Sequence, residues 1–65
     1  MDYQSISQYQ GKQVKITLIN NFWYRARILS VSEKAIEFVE ERGKHLSVTP
    51  EAILIIEEVK NGKGS

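Results

Sequence analysis

Sixty-five residues make one domain at most, and a chain that short buries only about 60% of the surface its unfolded form exposes. It has no cysteine and one histidine, His45, which excludes disulfides, thiolate metal sites and an all-protein zinc site as sources of stability. The net charge is +1 and the pI about 8.0, below the value above about 9 that marks a strongly basic nucleic-acid binder.

Charge is unevenly spread. Up to Ser32, Lys12, Lys15, Arg25 and Arg27 face Asp2 alone, a net +3; from Glu33 to Val59, seven glutamates outweigh Lys34, Arg42 and Lys44, a net −4. An anion-binding surface should therefore draw on the first half or on the tail, which carries Lys60 and Lys63. No apolar run approaches the roughly 18 residues that span a bilayer. Met1-Asp2-Tyr3-Gln4 lacks the basic and apolar regions of a secretory signal. A cytoplasmic protein that does not enter a membrane is expected.

Asp2 to Gln10 predicts a short helix. Asp2 suits the N-cap, Tyr3, Ile6 and Tyr9 recur at spacings of three, and Gly11 suits the left-handed position that ends a helix. From Val14 the period becomes two. Val14, Ile16 and Leu18 alternate with Lys15, Thr17 and Ile19, which predicts a half-buried strand. Asn20-Asn21 predicts the hairpin turn, since asparagine tolerates positive φ. The second strand, Phe22 to Val31, places Tyr24, Ala26 and Ile28 on one face and Trp23, Arg25, Arg27 and Leu29 on the other. Ser32-Glu33-Lys34 reads as a turn, after which Ile36 and Phe38 alternate with Glu37 and Val39. Gly43 supplies the next turn, and a short strand runs from His45 to Thr49. Pro50 has no donor N–H, so Thr49 to Ala52 is a connector. The last strand spans Ile53 to Val59, and the glycine-rich 60–65 tail reads as disordered.

A helix and five strands joined by short connections predict an antiparallel, strongly bent barrel forming a single domain over residues 1–59. Ile53, Leu54, Ile55 and Ile56 are consecutive aliphatics, so strict alternation makes both faces of the last strand apolar. A greasy edge of this kind is an aggregation hazard until a neighbour pairs it, and head-to-tail pairing that closes makes a ring. The alternative is a helix that folds back over these residues within one monomer.

The run from Gly11 to Ile28 (GKQVKITLINNFWYRARI) resembles the first motif of the Sm and LSm proteins, with the rough form G-x-x-V-x-I-x-L-x-N-G-x-x-Y-x-G-x-L. Val48 to Ile56 sits where the second motif lies and is also similar to the corresponding part of the bacterial RNA chaperone Hfq. The resemblance covers roughly residues 3–59 and consists mostly of core and turn positions. It implies an N-terminal helix, a bent five-stranded Sm-like (SH3-like) barrel, and rings of six or seven subunits joined through the fourth strand of one and the fifth of the next. It also implies binding of single-stranded RNA at the central pore. The chain departs from the pattern at several points. Asn21 and Ala26 replace the two glycines of the first motif. Ser32-Glu33-Lys34-Ala35-Ile36 replaces the base-pocketing loop, and Thr49-Pro50-Glu51 replaces the Arg-Gly or Tyr-Lys-His of relatives. The stacking aromatic and its cation are both missing there, so ring formation carries over better than uridine binding.

Trp23, Arg25 and Arg27 set an aromatic beside two cations on one strand face, a pattern that stacks a base and holds phosphates. The plainer reading is that the arginine stems cover apolar surface while Trp23 packs at an interface. Lys34 and Thr49 occupy the loops that face RNA in relatives and complete the RNA-binding candidates. Leu46, Val48, Ile53, Leu54, Ile55 and Ile56 are the candidates for the oligomer interface. Glu40-Glu41 and Glu57-Glu58 are neighbours that point to opposite sides of a strand, so neither pair can share one bond as acid and base. With no phosphate-binding glycine loop and no activated nucleophile, neither an enzyme nor a cofactor or metal site is expected. The alternative function is a monomeric SH3-like barrel acting as a protein-interaction or structural module; a ring that serves only as a scaffold is a third.

Overall fold

The computed structural model describes residues 1–59, and the expected disorder of 60–65 lies outside the described residues. Helix α1 spans Tyr3–Ser7. Strands follow at Gln13–Leu18 (β1), Trp23–Val31 (β2), Ile36–Glu40 (β3), His45–Val48 (β4) and Ile53–Glu58 (β5), with a single 3-10 turn at Pro50–Ala52. They form one antiparallel sheet in the order β4-β3-β2-β1-β5. The all-β architecture with its N-terminal helix is as the sequence predicts.

The helix is shorter than its periodicity suggested. The Asp2 carboxylate accepts from the Ser5 N–H at 2.7 Å, which satisfies one of the orphan donors of the first turn. After Ser7 the chain tightens: the Tyr9 and Gln10 N–H groups donate three residues back, to Ile6 and Ser7. The Gly11 N–H (φ +82°) then leaves the helix and donates to the Ile28 carbonyl of the sheet. Ile6 is fully buried and Tyr9 packs beside it, so α1 is held by the core and not by its own five residues.

Alternation works well in β1, where Val14, Ile16 and Leu18 face inward. Ala26 and Ile28 of β2 and Ile36 and Phe38 of β3 do the same, and Tyr24 leans on Phe38 with ring centroids 5.9 Å apart. It fails at three places. The β1–β2 connection is a three-residue loop, Ile19-Asn20-Asn21. The Leu18 N–H donates to the Phe22 carbonyl, and the positive φ falls on Asn21 (74°). Ile19 therefore sits in the loop and not in the strand. Leu29 is an extra residue between the pairs Ile28↔Phe38 and Ser30↔Glu37. Leu54 is an extra residue between Leu18↔Ile53 and Thr17↔Ile55. Such bulges bend a strand and raise its twist.

Short connections make neighbours of β1 through β4 but not of β5, which crosses to the far side of the sheet and pairs with β1. Four interstrand spacings of a flat sheet come to about 19 Å. The four residues between Val48 and Ile53 include a 3-10 turn, which rises only ~2 Å per residue, and span about 13 Å. The sheet must therefore curl until its two edges approach at this corner. The Ile19 N–H donating to the Ala52 carbonyl at 2.9 Å ties the β1–β2 loop to the same corner. Buried Pro50 fills it.

Candidate functional site

The register decides which side chains meet on the outer face. Antiparallel pairing places Thr17 opposite Trp23, Lys15 opposite Arg25 and Gln13 opposite Arg27. The outward residues of β1 and β2 thus make a two-column ladder with Trp23 at one end and two adjacent cations above it. The Lys15 ammonium lies 4.9 Å from the centre of the Trp23 ring, within cation–π range. Trp23 is still 54% exposed. Among the described residues, the ion pair within 4 Å is Lys12–Glu58, at 3.7 Å. Lys15, Arg25 and Arg27 are thus left without a carboxylate partner at that distance. Like charges directly opposite across a ladder repel, but Glu57 of β5 stands opposite Lys15 on its other side and Glu41 beside Arg25, so the row Glu57–Lys15–Arg25–Glu41 carries a carboxylate at each end.

Two depressions border this ladder. One, of about 500 Å³, lies over the outer ends of β1, β2 and β3 and is lined by Gln13, Arg25, Arg27, Leu29, Val39 and Glu41 among others. The second, of about 300 Å³, opens beside the tryptophan and is lined by Trp23, Tyr24, Arg25, Glu40, Glu41 and Arg42. Glu41 is locked to this place by its backbone N–H, which donates to the Arg25 carbonyl at 2.9 Å. Glu40 Oε1 accepts from the Arg42 N–H at 2.9 Å, so that carboxylate is partly engaged.

No family model, curated protein or solved structure matches this chain.

Trp23, Arg25 and Arg27 come together as their spacing predicts. Lys34 and Thr49 do not join them. Val31 pairs with Ile36 and Ile36 with Val48, which puts Lys34 and Thr49 at one corner, at the opposite end of β2 from Trp23. Eight strand residues separate Trp23 from Val31 at that corner, about 26 Å along an extended strand, and four separate Arg27 from it. The Lys34 turn is held by the Ser32 hydroxyl, which accepts from the Lys34 and Ala35 N–H groups.

The interface candidates divide. Ile53 and Ile56 are 1% and 6% exposed and belong to this chain's own core, a correction to their assignment as contact residues. The bulge at Leu54 shifts the phase, so that inward positions fall three apart instead of two. Leu54 and Ile55 are the pair left outside, at 52% and 46% exposure. Leu46 and Val48 are half-buried against the core from β4. β4 and β5 end the strand order, and each has one edge without a strand partner, although the Met1 ammonium donates to the Ile53 carbonyl at the start of β5 at 3.0 Å.

Residue-by-residue reading missed Lys15, Phe22 and Glu41. Lys15 was legible as an outward residue of β1, but its contact with Trp23 depends on a register fixed by loop length. Phe22 and Ile19, 62% and 64% exposed, cap the hairpin end beside Trp23 and extend the apolar surface there. His45 stands exposed on edge strand β4 opposite Val39. Among the described residues no cluster of His, Cys, Asp or Glu is placed to hold a metal ion, and no helix is long and apolar enough to cross a membrane.

Proposed function

We propose that this chain is an Sm-like subunit that assembles edge to edge with copies of itself, as a ring of six or seven, and binds single-stranded RNA. One observation carries the reading: the curled sheet has two edges without a strand partner, and the β5 edge bears exposed Leu54 and Ile55. An unpaired edge with apolar side chains demands a cover, and the free β4 edge of a second copy supplies matching donors and acceptors. Head-to-tail pairing uses both edges of every copy, and ring closure removes them all. The RNA part of the reading rests on the resemblance of the first motif and on the cationic outer ladder of β1 and β2.

Light scattering on the purified protein tests the assembly. The expected mass is several times 7.5 kDa, and a single-subunit mass at high concentration removes the ring. Fluorescence anisotropy with labelled oligoribonucleotides should show affinity that falls as salt rises, because phosphate binding releases counterions. No binding at low salt removes the ligand. Exposed Ile19, Phe22 and Trp23 favour a second reading, in which a monomeric SH3-like module docks a protein partner; it expects a monomer with no affinity for RNA.

A further inference from the structure

We infer that the pocket beside Trp23 is a nucleotide site on the outer face of the sheet, which selects bases carrying an exocyclic amino group. The inference rests on the RNA-binding reading above and deepens it by moving the contact away from the Lys34–Thr49 corner.

Three observations converge on the pocket. Trp23 is a half-exposed indole on a rigid central strand, a stacking platform fixed by the β1–β2 register and not by a loop. Lys15, Arg25 and Arg27 form a cationic track along the same ladder without carboxylates within 4 Å. Glu57 lies opposite Lys15 and Glu41 beside Arg25, so a carboxylate bounds that track on either side and Arg27 extends it beyond them. The third observation is the acidic wall. Glu40 and Glu41 line the pocket on the side away from β1 together with Arg42; two carboxylates against one cation make that side the less favourable one for phosphate. With the backbone on the cationic side, the base lies between Trp23 and the carboxylates. Glu40 is already engaged by the Arg42 N–H, so Glu41 is the open acceptor. A carboxylate accepts only; it takes a hydrogen bond from the amino group of cytosine or adenine and repels the carbonyl that uracil presents at the corresponding position. The pocket volume of about 300 Å³ suits one base and its sugar.

Trp23 is the single tryptophan of the chain, so its fluorescence reports the site directly. Oligoadenylate and oligocytidylate should quench it and bind about tenfold tighter than oligouridylate, the value of one hydrogen bond to a charged acceptor. By anisotropy, Trp23→Ala should weaken oligoadenylate binding by roughly 5- to 150-fold, the range for loss of one stacked base. Arg25→Ala should weaken all three oligomers and flatten the salt dependence. Glu41→Gln should erase the preference, because the amide also donates to the uracil carbonyl. Lys34→Ala should leave oligoadenylate affinity within about twofold, as expected of a surface change outside the site. Equal quenching by all three oligomers overturns the amino-base selection. RNA affinity lost in Lys34→Ala but kept in Trp23→Ala moves the site to the other corner and leaves RNA binding intact. Absence of binding by the parent protein overturns both.

Discussion

Ile53→Ala and Ile55→Ala make the same chemical change two residues apart in one strand, and the bulge at Leu54 gives them different consequences. Strict alternation puts both on one face. In the structure Ile53 pairs with Leu18 and is 1% exposed, whereas Ile55 pairs with Thr17 and is 46% exposed. Either change removes three carbons, worth ~0.8 kcal/mol each when taken out of water. At Ile53 the transfer term of about 2.4 kcal/mol is joined by the cavity left in a packed core, for a total of about 3–4 kcal/mol. A chain of 65 residues has a total stability of roughly 3–10 kcal/mol, so Ile53→Ala approaches the limit of folding. At Ile55 half the side chain is already wet, no closed cavity forms, and the loss within one subunit is about 1 kcal/mol. Urea denaturation followed by far-ultraviolet circular dichroism, repeated across protein concentrations, separates the two. Ile53→Ala should lower the midpoint at every concentration. Under the proposed edge-to-edge assembly, Ile55→Ala should lie close to the parent in dilute solution and fall behind as concentration rises, because association would then stabilise the parent more. Equal losses in dilute solution would refute the bulge as the cause of the phase shift.

Two further outcomes test local structure. Gly43 has φ +92° with open space where a Cβ would go, so Gly43→Ala should cost about 1–2 kcal/mol through backbone strain alone; Gly43→Asn should recover part of it, and an unchanged urea midpoint for the alanine variant would contradict the left-handed turn. The Asp2 carboxyl is held below its ordinary 3.8, chiefly by the backbone hydrogen bond from Ser5. A depressed native value means the cap is stabilising above the ordinary carboxylate range and is lost as pH falls through the native value. Asp2→Ala should therefore melt below the parent at neutral pH and converge with it in strong acid, as thermal scans across pH would read; a gap that widens on acidification has the wrong sign.

Much of the architecture could be read from spacing. Val14, Ile16 and Leu18 face inward because a strand's period is two, and Asp2, Gly11 and Gly43 stand where cap and left-handed backbone need them. The partnership of Trp23 with Arg25 and Arg27 follows from the same period within one strand. Lys15 escaped notice because its contact crosses strands. Its register depends on whether the loop before Phe22 has two residues or three, and Asn20-Asn21 is compatible with both.

The five strands, their polarity and the greasy terminal segment are written locally, in side-chain periodicity and turn residues that act over a few positions. The far-edge pairing of β5, the bulges at Leu29 and Leu54, and the separation of Ile53 and Ile56 from Leu54 and Ile55 are not. These belong to the closing of the sheet. A connector too short to cross a flat sheet forces it to curl, and a curled sheet absorbs the mismatch by slipping one residue where two strands no longer keep step. Which aliphatic side chains are left outside is set by that long-range geometric constraint and by no run of neighbouring residues.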